Sequence, residues 1–91
     1  MNPIIKIDQL VDVVAVFHPE STKGQKCQPY KMRFNGREII FQKLAFRHPT
    51  TKGARMLHVM DVSDGSNDYR LEFDAESLQW RLISMIELGA L

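Results

Sequence analysis

Apolar and polar positions alternate along most of this chain, and Asx-Gly pairs interrupt the alternation. Asn35-Gly36 separates Tyr30-Lys31-Met32-Arg33-Phe34 from Arg37-Glu38-Ile39-Ile40-Phe41. This predicts a two-residue hairpin, because a type I′ turn needs positive φ at both central residues. Such a loop sets Phe34 opposite Arg37. Met32 then faces Ile39 and Tyr30 faces Phe41 on one side, while Arg33 faces Glu38 on the other, a pairing that would partly neutralise Arg33. Beyond Phe41 the phase changes: Leu44 and Phe46 fall on the opposite parity, so an extra residue near Gln42-Lys43 is expected to bend the strand.

Asp64-Gly65 predicts a second hairpin by the same logic. It would set Met60 opposite Tyr69, His58 opposite Leu71 and Met56 opposite Phe73, an apolar face broken only by His58. Leu57, Val59, Asp61, Arg70 and Glu72 would form a mixed surface behind it. At the start, Ile4 to Phe17 is rich in β-branched residues and reads as a strand, although Ile7, Leu10, Val11 and Val14 also fit helical spacing.

Residues 75–88 admit two readings. Asp74 could cap a helix carrying a Leu78, Leu82 and Met85 stripe, ended by Gly89. A four-residue loop over 75–78 would instead pair Phe73 with Trp80, Leu71 with Leu82 and Glu72 with Arg81. Three complementary pairs in one register favour the strand. The fold class expected is therefore all-β: one domain over 1–91, about six antiparallel strands in a meander, forming a small barrel or strongly curved sheet. The alternative is α+β with a C-terminal helix 75–88. The expected core comprises Val13, Met32, Ile39, Phe41, Leu44, Phe46, Met56, Met60, Leu71, Phe73, Trp80 and Leu82.

His18-Pro-Glu-Ser-Thr-Lys-Gly24 resembles His48-Pro-Thr-Thr-Lys-Gly53, and each is followed at the same distance by a turn glycine, Gly36 or Gly65. This suggests a duplicated unit of strand, His-Pro loop, strand and Asx-Gly turn. Ordinary loop chemistry accounts for the same residues. Neither loop has the spacing of a phosphate-binding P-loop.

Composition narrows the class. The 91 residues are 44% hydrophobic and 25% charged, globular values that exclude a disordered tail or a disulfide scaffold. A chain this short has a modest core, which favours association. The lone cysteine, Cys27, has no partner for an internal bridge and suggests a reducing, cytoplasmic setting. No apolar run is long enough for a membrane helix, and Met1-Asn2-Pro3 opens no basic leader.

Charge is unevenly spread beneath a net value of +1. Nine basic residues and one acid lie from Lys23 to Arg55; two basic residues and seven acids follow from Met56 onward. Basic strands with interleaved aromatics, here Tyr30, Phe34, Phe41 and Phe46, are how small β-barrels hold single-stranded nucleic acid. The candidate contacts are Lys31, Arg33, Arg37, Lys43, Arg47, Lys52 and Arg55. Pairing of the basic hairpin with the acidic one would explain the same asymmetry, and a dipolar surface also suits a charged protein partner.

Catalytic signatures are missing. Histidine and cysteine show no metal-ligand spacing, so a metal site would have to join His18 to His48 across two loops. No nucleophile motif occurs. His58 on an apolar strand face reads as a core histidine with one satisfied nitrogen. No enzyme activity, cofactor or metal is expected.

The segments Met32-Arg33-Phe34-Asn35-Gly36-Arg37-Glu38, His58 to Gly65, Tyr69 to Asp74 and Leu78-Gln79-Trp80-Arg81-Leu82 resemble small bacterial β-domain proteins of unknown function. In those, an apolar strand ending in Asp precedes a short turn and a Trp-x-Leu strand. The resemblance implies a compact antiparallel fold and no particular activity. Where such chains carry glycine before the tryptophan, this one has Leu78-Gln79. The functional expectation is a cytoplasmic binding module for nucleic acid or, alternatively, for protein. A weak homodimer is expected if the apolar strand over 11–17 lies at a sheet edge.

Overall fold

A computed structural model describes residues 3–19, 27–53 and 55–88, and over 43–52 only the backbone. Every regular element in these residues is a strand. They are β1 (Ile4–Phe17), β2 (Cys27–Phe34), β3 (Arg37–Ile40), β4 (Lys43–Lys52), β5 (Arg55–Ser63), β6 (Asn67–Asp74) and β7 (Gln79–Glu87). All ladders are antiparallel and join in the order β3-β2-β1-β7-β6-β5-β4.

Seven strands replace the expected six because the expected third strand divides. Its β3 part pairs with β2 and its β4 part pairs with β5. The switch occurs at two successive amides: Phe41 N–H donates to the Tyr30 carbonyl and Gln42 N–H to the Ser63 carbonyl, both at 2.8 Å. The phase change near Gln42-Lys43 is this change of partner, and a further register shift follows between Leu44 and Phe46. The ladders leave the sheet open between β3 and β4, so closure into a barrel is not part of the hydrogen-bonded pattern.

β1 also changes partner along its length. Ile4 to Val11 pair with β7, and Asp12 to Phe17 pair with β2. Strands that pass from one ladder to another make the corners of curved sheets. Asp8, at φ 54°, sits in the irregular stretch of the β1·β7 ladder between Lys6 and Gln9.

The first and third hairpins follow the expected registers. Phe34 opposes Arg37 and Met32 opposes Ile39, around Asn35 and Gly36 at φ 53° and 72°. Phe73 opposes Trp80, Glu72 opposes Arg81 and Leu71 opposes Leu82 across the loop 75–78, so the helix alternative for 75–88 is excluded. The second hairpin differs: Met60 opposes Leu71 and His58 opposes Phe73, two residues from the expected register. Asp64 causes this. Its Oδ1 accepts the amides of Ser66 (2.8 Å) and Asn67 (2.7 Å), and its own amide donates to the Asn67 carbonyl, so the hairpin closes around Gly65-Ser66, one residue beyond the expected Asp64-Gly65. A shift by two preserves the faces.

The core gathers on the inner face of the curve. Met32, Met60, Val62, Leu71 and Leu82 are fully buried, joined by Ile39, Phe41, Tyr69, Phe73, Trp80 and Cys27. Phe73 lies against Trp80 with ring centroids 4.7 Å apart. Val13 packs at the margin of this cluster. Met56 does not join it and is 56% exposed, because it stands near the start of β5, beyond the last β5·β6 pair, Leu57 with Asp74. Leu57 and Val59, expected on a mixed surface, are buried. Leu44 and Phe46 fall where only the backbone is described.

The expected duplication survives as topology: β1-β2-β3 and β4-β5-β6 are each antiparallel three-strand runs with an Asx-Gly connection before the third strand. The first His-Pro segment continues into 20–26, outside the described residues. The second is no loop: His48 to Lys52 are strand, with Pro49 opposite His58 and Gly53 (φ 63°) at the turn. Pro49 is tolerated because β4 is an edge strand.

Candidate interaction surface

The proposed nucleic-acid residues are spread over four strands. Lys31 and Arg33 lie on β2, Arg37 on β3, Lys43, Arg47 and Lys52 on β4, and Arg55 at the start of β5. Lys31 forms an ion pair with Glu38 at 2.8 Å. Arg33 stands opposite Glu38 in register and its charge also acts on that carboxyl, while the direct contact goes diagonally to Lys31. The hydrogen bond from Lys31, with its positive charge, holds the Glu38 carboxyl below the usual range. Arg55 is also engaged, contacting Asp74 and, at 3.6 Å, Glu76. Arg33 and Arg37 are exposed. For Lys43, Arg47 and Lys52 the strand position is described and the side chain is not.

The acidic half pairs within itself and with the start of β1. Arg70 donates to Asp61 at 2.8 and 3.1 Å, and Arg81 reaches Asp8 at 3.2 Å. These pairs line the outer face. They are exposed, so each contributes only about 0–1 kcal/mol.

The outer face of β1-β2-β3 has a different character. Registers place Val14, Lys31 and Ile40 in one row and Asp12, Arg33 and Glu38 in the next. The β1·β2 ladder shifts between Val14 and Ala15, where Tyr30 has no partner on β1. This bulge overturns the expected inward placement of Tyr30. Tyr30 is exposed while Phe41, its hairpin partner, is buried. Val14, Val16, Tyr30 and Ile40 thus form an exposed apolar group, with Ile40 63% and Val14 52% accessible. The charges around it, Asp12, Lys31, Arg33 and Glu38, cancel. The bulge was not legible in the alternation, because Gln28-Pro29-Tyr30 carries no phase signal of its own.

His58 is half-buried against Phe73, with ring centroids 6.4 Å apart. Its Nδ1 is buried without a hydrogen-bond partner, which corrects the expectation of a satisfied nitrogen only for that atom. No group of three or more His, Cys, Asp or Glu side chains that could hold a metal occurs among the described residues. No helix among them is long and apolar enough to cross a membrane. Comparison with protein-family models, curated proteins and solved structures finds no match to this chain.

Proposed function

We propose that this domain is a non-enzymatic, cytoplasmic protein-association module that uses the outer face of β1-β2-β3. The observation behind this reading is the exposed apolar side chains Val14, Val16, Tyr30 and Ile40, which share their face with charges that sum to zero. Exposed apolar side chains interspersed with balanced charges are common at protein contact sites. A face that bound phosphates would carry uncompensated positive charge, and this one does not. The architecture we infer beneath it is a small barrel, in which the Phe41-Gln42 crossover brings the β3 and β4 edges together; the adjacent hydrogen bonds to Tyr30 and Ser63 support that closure.

Site-specific photocrosslinking in the source cells tests the reading. A crosslinker at Ile40 is expected to yield a discrete protein adduct that disappears with Tyr30→Ser. The same probe at Glu76 should yield none. No adduct from position 40, or an identical pattern from position 76, refutes the proposal.

A second reading rests on β4 and the turn after it, where Lys43, Arg47, Lys52 and Arg55 follow one another without an intervening acid. It predicts salt-sensitive binding of single-stranded oligonucleotides, lost in a Lys43→Ala, Arg47→Ala, Lys52→Ala variant. Absence of binding by the native protein at low salt ends it.

A further inference from the structure

β1 has a backbone edge that its neighbours leave open. Its ladder with β7 stops at the pair Val11 with Trp80, and β7 begins at Gln79. From Asp12 to Phe17 the strand pairs on one side only, with β2, among the described residues.

Hairpin geometry fixes which residues face the open side. In a two-residue hairpin the closing pair, Phe34 and Arg37, exchanges hydrogen bonds, and alternation extends this to Tyr30 and Phe41. The Phe41 amide does donate to the Tyr30 carbonyl. Lys31 and Arg33 therefore turn their backbone toward β1, opposite Val14 and Asp12. By alternation Val13, Ala15 and Phe17 turn theirs away from β2, to a side where no described strand pairs with them beyond the end of β7.

Next to the Val13 end of this edge lies a groove of ≈ 420 Å³ with Asp12, Val13, Leu78 and Trp80 among its walls. At the far end of the edge, Phe17 is 60% exposed although its ring lies 6.1 Å from Phe73.

We infer that this edge pairs antiparallel with the same edge of a second copy, about a two-fold axis at Ala15. That register lets Val13, Ala15 and Phe17 of each copy bond to Phe17, Ala15 and Val13 of the other, about six backbone hydrogen bonds. It also sets Val14 opposite Val16, apolar against apolar. Asp12, the only acid in the segment, falls opposite His18, the residue that follows the strand. Polarity and face thus agree in one register, and a slip by one residue would mismatch the faces. Two three-strand ladders would join into one surface, isologous as two-fold contacts require. The contact spans about 20 Å of strand. It is smaller than a standard interface, so a Kd on the order of 10–100 μM is expected. The inference concerns the backbone edge of β1 rather than the outer side chains, so it fails or holds separately from the association reading above.

Sedimentation equilibrium of the full chain from micromolar to millimolar concentration tests it. The native protein is expected to dimerise. Ala15→Pro removes an amide that faces outward and should weaken the dimer at least ~10-fold while circular dichroism stays native. Val14→Lys and Val16→Glu, both at exposed positions, should each dimerise more weakly than the native chain. Mixed together they should form a heterodimer, because the lysine introduced in one copy then meets the glutamate introduced in the other. Tyr30→Ser should leave the dimer intact. A native monomer at every concentration overturns the inference, as does a lack of rescue on mixing. If Ala15→Pro fails to fold, the charge pair still decides the matter.

Discussion

Individual residues carry strain and charge that the fold uses unevenly. Leu78 occupies the left-handed region at φ 60° and is exposed, in the loop where its amide donates to the Asp74 carbonyl at 2.7 Å. A branched apolar side chain gains nothing there and costs about 1 kcal/mol relative to glycine. Leu78→Gly is therefore expected to raise Tm by about 4–8 °C in a thermal melt, since a domain of this size shifts that far per kcal/mol. A fall in Tm would show that Leu78 packs usefully. Asp64 behaves oppositely. Burial opposes its charge, but the amides of Asn67 and Ser66 and the Tyr69 hydroxyl outweigh burial and lower its pKa. A carboxyl depressed on folding stabilises the protein above its unfolded pKa, and that stability is lost as pH falls through the folded value. Asp64→Asn keeps the acceptor for the two amides and loses the charge. It should cost about 0.5–1 kcal/mol at pH 7, allowing for solvent screening. The gap from the native protein should narrow as pH falls through the folded value in paired melts; a gap that persisted would assign the cost to geometry. Both effects were half visible in the sequence. The turn at 75–78 could be placed, but strain at Leu78 depends on a dihedral that residue type alone does not set.

At the level of elements, what could be read in advance was whatever local chemistry determines. Asn35-Gly36 forces one turn and hence one register, and the pairs Met32 with Ile39 and Phe34 with Arg37 stand as expected. The third hairpin followed from three complementary pairs, with no glycine to mark it. Asp64-Gly65 looked equivalent to Asn35-Gly36. It gave a turn one residue further on, at Gly65-Ser66, where the aspartate side chain accepts two downstream amides, an option competing with a turn centred on Asp64-Gly65. Bulges were harder still. Tyr30 leaves the core face because β2 carries one more residue than β1 there, a property of two strands together. His48 to Lys52 reads as loop by composition and is strand by partnership with β5. The segment 11–17, suspected as an edge, is flanked on alternate halves of β1 by β7 and β2. Each half of β1 is therefore an edge on the side where the other half is paired, among the described residues, and no local pattern could divide the strand in this way. The candidate surface was legible only as a list of charges. Its actual composition, apolar with cancelling charges, depended on the lateral rows that register creates.

For the whole molecule, the pairing of β1 with β7 ties sequence-distant ends into one ladder, with Ile4 opposite Ile86. β1 enters that ladder at the end where β7 leaves it, so a pull applied at residues 4 and 87 does not shear it. Force would load one bonded pair at a time and open the ladder like a zipper, since no other pair shares the tension until the previous one has parted. In single-molecule stretching from these two points the domain should yield at low force, with β1 peeling away as far as Val11, where its grip passes to β2. Pulling instead between residue 4 and residue 79 would draw the two strands along their length, loading all of the pairs together. A higher rupture force from the second geometry is the expected result, and equal forces would mean that the β1·β7 ladder is not what resists. A protein with these attachment points would therefore respond to tension by direction: easily undone from its ends, and firm along its length.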